Sequence, residues 1–498
     1  MISRIYGAGL GGVEPFVVTV ETDVARGLPK FEIVGLAHSS VQEGRNRVLS
    51  ALRASGFFWG PKRVTVNLAP ASIRKEGAAL DLTIALGLLL AVSEIPPSST
   101  DGYLALGELS LDGTLCPIRG AFAYADLARR NEWKGIVLPR PSAGEASLVG
   151  GISVVAPTSL RELVCSLRGE IPCPRVSPVF EAPAEPFTVD FSEVGGQEIA
   201  KRSLEIAAAG AHNVLMGGPP GVGKTLLARR LPTILPPLTD GERNDVRRIY
   251  SVAGFDSAFP RSGVPPFRAP HHHASIAGMI GGGRPFRPGE FTLAHRGVLF
   301  LDEMAEFRRD VVEALREPLE EGIVTVSRAE MSHRLPGRFL LVGAMNLCPC
   351  GGLGDPTKPC VCPPPVLDRY RNHVSGPIRD RLDLFVSLPR PAWREIWGNS
   401  SAEKSEVIRR RIVRARERQF ERRKGEPLWN GMLTPRQIRE EVTLDRTSEK
   451  LLEGAIEKIG LSARGVDKIL RVARTIADLE EVEKVSHPHV AEALQYRA

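Results

Sequence analysis

Three short apolar runs in the middle of the chain are each followed by polar residues. Asn213 to Gly217 (NVLMG) enters a glycine-rich loop, Val298 to Leu301 (VLFL) ends in two acids, and Phe339 to Ala344 (FLLVGA) ends beside Asn346. Uninterrupted runs of this length predict strands buried on both faces, as in a parallel sheet. Polar residues at their carboxyl ends predict a site along that edge. Thr225 to Leu231 reads as the helix leaving the glycine loop. Nearer the N-terminus, Val13 to Thr22 and Arg63 to Leu68 alternate with β-branched residues and predict strands. Between them, Ser40 to Ala54 is helical in pattern, with Val41, Val48, Leu49 and Leu52 on one face. From about Pro391 strand signals fade, and Leu451 to Ile459 and Val466 to Leu479 read as helices of a small lid. The predicted fold is α/β, with a helical C-terminal lid.

Five prolines between Ile171 and Phe187 favour extended chain over packed structure. The expected division is therefore an N-terminal domain over 1–170, a linker over 171–190, a P-loop domain over 191–390 and the lid over 391–498. A length of 498 residues, 43% hydrophobic, is enough for two to four domains. The net charge of +7 permits an anionic partner without requiring one. Seven cysteines in such a chain make no disulfide framework. The first residues lack a charged start before an apolar run, and the longest apolar stretch, Leu82 to Val92, is too short to span a bilayer. A cytoplasmic protein without a membrane partner is the expectation.

Gly218-Pro219-Pro220-Gly221-Val222-Gly223-Lys224-Thr225 satisfies G-x-x-x-x-G-K-[ST] between an apolar strand and a helix. Glycines let backbone N–H groups curl around phosphates, and a helix N-terminus adds a favourable dipole. Lys224 is the candidate phosphate ligand and Thr225 the candidate Mg²⁺ ligand for bound ATP. Asp302 is placed to orient Mg²⁺, and Glu303 to take a proton from attacking water. Asn346 is a candidate for positioning that water.

Further blocks carry a family resemblance: APHHHASIAGMIGGG, PGEFTLAHRGVLFLDEMAEF, ALREPLEEG, CPCGG, SGPIRDRLDL and LSARGVDKILRVARTIADLE, with KFEIVGL, VTVNLAP and KEGAALDLTIALG nearer the start. The chain resembles the magnesium-chelatase-like branch of AAA+ ATPases, and within it the bacterial ComM/YifB group. His273 and Leu347 depart from that group's usual Thr and Pro. The resemblance implies an arginine finger at Arg381, with Arg379 as competitor, reaching the ATP of a neighbouring subunit. It also implies a lid arginine at Arg464 that senses the γ-phosphate in cis. A finger acting in trans implies a homo-oligomeric ring, a hexamer. The substrate implied is single-stranded or branched DNA, with the ring driving branch migration during natural transformation. The alternatives are the motor subunit of a metal chelatase and a protein-remodelling ATPase.

The first domain is similar to the proteolytic domain of Lon, through Lys75-Glu-Gly77, Gly107-Glu-Leu-Ser-Leu-Asp-Gly113 and Cys116-Pro-Ile-Arg-Gly120. That family's Ser–Lys dyad needs a hydroxyl beside an amine. The corresponding positions here are Ala79 and, nearby, Phe122, and their neighbours Ala78, Leu80, Ala121 and Ala123 are equally inert. The expectation is a scaffold without peptidase activity.

Cys348-x-Cys350 and Cys360-x-Cys362 bracket a Gly- and Pro-rich loop. Four thiolates suit structural Zn²⁺, while C-x-C is tighter than the usual C-x₂-C, so zinc and free thiols both remain open. His271, His272 and His273 cannot all face one ion on regular structure, which favours polar contacts within a loop. The segment Gly281 to Arg287 reads as a mobile basic loop able to touch DNA phosphates from a ring's pore. Arg409 to Lys424 reads as a basic helix, either a solvated lid face or a DNA contact.

Overall fold

The computed structural model describes every residue except Met1, Trp59, Pro61, 178–186, 256–262, Arg284, Pro285, Ala329, Glu330, 394–401 and Ala498. The N-terminal half is built on an eight-stranded mixed sheet. Strands β1 (Ile2–Gly11) and β2 (Glu14–Arg26) form an antiparallel hairpin, β3 (Lys30–Val34) pairs parallel with β4 (Lys62–Ala69), and β4 runs antiparallel to β2. Beyond β1 come β5 (Tyr103–Ala105), β6 (Gly135–Val137) and β7 (Ser153–Val155), all parallel, then β8 (Arg175–Val176), antiparallel at the edge. The order is β8-β7-β6-β5-β1-β2-β4-β3.

The predicted strands and helix of this half are present, the latter as α1 (Ser39–Ala54). The apolar run at Leu82 is α2 (Asp81–Ala91), buried along its whole length against β1 and β2. Strand β1 was not foreseen, because Gly7, Gly9 and Gly11 break the alternation that marks a strand. Glycine is required there by close packing: a Cβ on Gly7 would lie 2.7 Å from Thr83 Oγ1.

The second half holds a five-stranded sheet, all parallel. Its strands are β9 (Val214–Gly217), β10 (Phe267–Arg268), β11 (Val298–Leu301), β12 (Leu340–Met345) and β13 (Leu384–Ser387), in the order β10-β11-β12-β9-β13. The three apolar runs are thus adjacent strands β11, β12 and β9, and their polar carboxyl ends lie side by side. Helix α4 (Glu198–Gly210) packs between this sheet and the lid, which contains α7 (Ser405–Arg422), α8 (Arg446–Ile459), α9 (Ala463–Leu479) and α10 (His487–Gln495). One apolar core joins Val214 and Leu384 of the sheet to Ile412, Ile469 and Ile476 of the lid. No helix among the described residues is long and apolar enough to cross a membrane.

The two halves meet where α3 (Ala121–Arg130) lies on α6 (Asp240–Ala253), with α5 (Lys224–Arg230) preceding the latter. Gly120 N donates to Ser251 O at 3.2 Å, and Arg248 donates to Glu14 at 2.9 Å and Asp126 at 3.1 Å. The proline-rich segment is tied down at both described ends. Arg175–Val176 adds to the sheet as β8, and Asp190 accepts from Ser405 N at 3.2 Å; its centre, 178–186, lies outside the described residues.

Candidate nucleotide site

The predicted phosphate loop joins β9 to α5. Gly218 N donates to Met345 O at 3.3 Å, fastening the loop to β12, and a Cβ on Gly218 would meet Leu388 O at 2.5 Å. Gly223 turns the chain into α5 at φ 98°, in the left-handed region that favours glycine. Cβ atoms built on Gly221 and Gly223 would meet nothing within 4 Å, so the loop backbone is open at those two positions, as a phosphate-binding turn requires. Lys224 Nζ donates to Gly218 O at 2.7 Å, Pro219 O at 2.8 Å and Asn346 Oδ1 at 3.1 Å. Burial pulls its pKa below the ordinary lysine value, and the carboxylates of Asp302 and Glu303 oppose that pull.

Thr225 Oγ1 donates to Asp302 Oδ2 at 2.6 Å, so the two candidate Mg²⁺ ligands meet across the α5–β11 gap. Glu303 follows at φ 52° and ψ 46°, a left-handed conformation costing a non-glycine residue about 1–2 kcal/mol. Such strain concentrates at functional positions. The Glu303 carboxylate is exposed and lies 3.1 Å from His272 Nδ1.

Two contacts escaped the sequence reading. His272 reaches Glu303 because residues 271–273 occupy a turn instead of regular structure. Their ligand atoms lie within 4.8 Å of one another, and His271 Nδ1 accepts from His273 N at 3.3 Å. Gln197, at φ 57°, donates to Val222 O at 3.3 Å and Pro389 O at 2.8 Å, bracing the loop from outside. The only sequence signal for it is its place in Val-Gly-Gly-Gln, just ahead of α4.

The arginines stand apart from this cluster. Arg381 hydrogen-bonds Glu320 and the Pro377 carbonyl, and Arg379 the Arg371 carbonyl. Arg464, exposed in the first turn of α9, lines a cleft of about 360 Å³ with Asp380, Lys468 and Arg497, and no phosphate-loop residue lines that cleft.

The four cysteines do converge. Their sulfurs lie within 4.8 Å of one another, with Cys348 Sγ 3.4 Å from Cys350 Sγ and the latter 3.7 Å from Cys360 Sγ. Tetrahedral Zn²⁺ with Zn–S near 2.3 Å requires S···S spacings of roughly 3.8 Å, so the set fits that ion. N–H groups of Gly352 and Val361 pull the Cys350 thiol down to about 6.

The basic helix is mostly committed to its own fold. Arg411 pairs with Glu205 of α4 at 2.6 Å, Arg414 with Glu481 at 3.0 Å, and Arg423 with Glu441 at 2.9 Å. Arg416 donates to Ala208 O at 2.7 Å and covers the Trp429 ring. The Arg411 and Arg416 contacts bind lid to body and the other two close within the lid, which favours the structural reading of that helix. The glycine loop forms a short hairpin, Gly281–Gly282 against Arg287–Pro288; Arg284 and Pro285 lie outside the described residues. In the N-terminal half, Phe122 is buried beneath Arg247, and neither it nor half-buried Ala79 offers a nucleophile or base.

Comparison with known proteins agrees with this architecture. The family described as magnesium chelatase, subunit ChlI, matches residues 190–396, its C-terminal family matches 402–497, and a third described as subunit ChlI of Mg-chelatase matches 20–142. The uncharacterized protein YifB of Salmonella typhimurium is 40% identical, covering 98% of this chain and 95% of its own. Competence protein ComM of Haemophilus influenzae is 39% identical, covering 100% and 97% respectively. The magnesium-chelatase 38 kDa subunit of Cereibacter sphaeroides is 28% identical over only 31% of this chain and 52% of its own. The chain therefore belongs to the ComM/YifB family of magnesium-chelatase-like AAA+ proteins.

Proposed function

We propose that this chain is an ATP-driven ring motor acting on DNA, a branch-migration helicase in recombination during natural transformation. The observation that carries the ATPase part is the junction of Lys224, Asn346, Thr225 and Asp302 at the ends of three adjacent parallel strands. In this reading, Gly218 to Thr225 wrap the phosphates, and Thr225 and Asp302 hold Mg²⁺. Glu303 swings from His272 to take the proton of the attacking water, which Asn346 orients. Arg381 leaves Glu320 to reach the nucleotide of a neighbouring copy, completing a hexameric ring. Arg464 acts from the lid at the Asp380 cleft.

The DNA part is supported by full-length likeness to a protein named for competence, by the net charge of +7, and by the exposed Arg287 on the glycine hairpin. The chelatase-motor reading is disfavoured because two magnesium-chelatase subunits align with only 31% and 45% of the chain, whereas YifB and ComM align with 98% and 100% of it. Zn²⁺ on the four cysteines is the structural metal of this reading.

The test is ATP turnover with and without single-stranded and branched DNA at two salt concentrations. Stimulation that weakens with salt is expected, since phosphate contacts release counterions. Hydrolysis indifferent to every DNA would sink the DNA reading and leave a chelatase-like or protein-remodelling motor.

A further inference from the structure

The cysteine loop grows directly out of the nucleotide site. Strand β12 ends at Met345, whose carbonyl accepts from Gly218 N, and the next residue, Asn346, accepts from Lys224. Leu347 then lies over the strand–loop junction: a Cβ on Gly217 would sit 2.8 Å from Leu347 Cδ2, and one on Gly354 would sit 3.0 Å from Leu347 Cδ1. Gly351 is pressed against the phosphate loop itself, where a Cβ would meet Pro220 Cδ at 3.1 Å. On the far side, Arg390 donates to Asp355 at 3.1 Å and to Thr357 at 2.6 Å, tying the loop beyond β13 as well.

Apolar packing does little to hold this loop together. Cys348 is its one fully buried hydrophobic residue, and Val361 is 77% exposed. What gathers its two ends is the convergence of four sulfurs, with Leu353 N donating to Cys348 Sγ at 3.2 Å.

We infer that Zn²⁺ on Cys348, Cys350, Cys360 and Cys362 braces the phosphate loop, so that nucleotide affinity depends on the metal through Leu347 and Gly351. This rests on the nucleotide-site reading above. With the metal bound, the segment from Asn346 to Gly354 is fixed against Pro219 and Pro220. Without it, that segment loses its cross-link and the loop loses one wall.

The experiment measures metal content and fluorescent ATP-analogue affinity on the full chain, before and after chelation under reducing conditions, with a thermal melt on each sample. About one zinc per chain is expected, with affinity falling about tenfold or more on stripping and returning with Zn²⁺ but not Mg²⁺. Leu347→Ala keeps all four ligands; it should retain the zinc and the melt yet bind the analogue several-fold more weakly. Absence of zinc from both the isolated and the zinc-supplemented protein overturns the inference. So does unchanged affinity in Leu347→Ala, which also covers the case where stripping simply unfolds the chain. Failure of the zinc-loaded chain to bind any nucleotide would instead overturn the nucleotide-site reading.

Discussion

Each half of the molecule buries a lysine on backbone carbonyls, and the two lysines have different surroundings. Lys75 of the N-terminal half donates to Gly35 O at 3.1 Å, Leu68 O at 2.9 Å and the Pro70 carbonyl, and burial alone lowers its pKa. Lys224 also sits on carbonyls and is also lowered by burial, but two carboxylates pull the other way and an amide meets it from the next strand. The buried acids of the first half, Asp81 and Asp126, are closed off, the former by Arg47 at 2.8 Å and the latter by Arg129 at 2.9 Å and Arg248 at 3.1 Å. A lysine saturated by carbonyls holds a chain in place. One set in a glycine loop, with Asp302 and Glu303 at hand, has the surroundings that the proposed phosphate-binding role requires.

Glu303→Gln should widen this contrast most. Removing a general base typically costs 10²- to 10⁴-fold in rate. Turnover should therefore fall about 100-fold or more while ATP binding persists, read by steady-state phosphate release beside analogue titration. Normal turnover would remove the base assignment and leave Glu303's left-handed backbone unexplained.

The converse attempt is to build chemistry into the first half. Ala79→Ser with Phe122→Lys restores the residue types of a Ser–Lys dyad, yet Phe122 is a fully buried core side chain. Losing its packing costs about 3–5 kcal/mol, and a buried unpaired ammonium adds to that. The double variant should gain no peptidase activity and should lose stability on that scale in denaturant titration. Peptide cleavage by it would break the comparison.

How far the sequence showed these sites differs by kind of contact. Strands β9, β11 and β12 were legible because burial on both faces leaves uninterrupted apolar runs, and the phosphate loop because its glycines are backbone requirements. β1 was hidden by glycines chosen for close packing. The His272–Glu303 contact was hidden because a turn, with no periodicity of its own, folds residues 271–273 back over β11. The basic helix was ambiguous since sequence shows Arg411 and Arg423 but not Glu205 and Glu441 facing them. The convergence of the cysteines depended on a loop whose shape no spacing rule fixes.

The smallest effect concerns acid. Of the ten histidines only His38 lies in the first half, so pH sensitivity from histidine should fall on the nucleotide-binding half. His295, ahead of β11, is buried and accepts from Arg338 N at 3.1 Å through Nδ1. Burial, helped by Arg296, Arg338 and Arg248, depresses its pKa to about 3. A histidine held neutral in the fold gives stability that is complete above its unfolded value near 6.5 and is lost as pH falls toward 3, because only the unfolded chain takes up the proton. By pH 5 the loss is about 2 kcal/mol. His295→Asn keeps an acceptor but cannot titrate, so its unfolding free energy should fall less steeply between pH 6.5 and 5 than that of the parent chain. Equal slopes would place the acid sensitivity elsewhere and dissolve this part of the contrast between the halves.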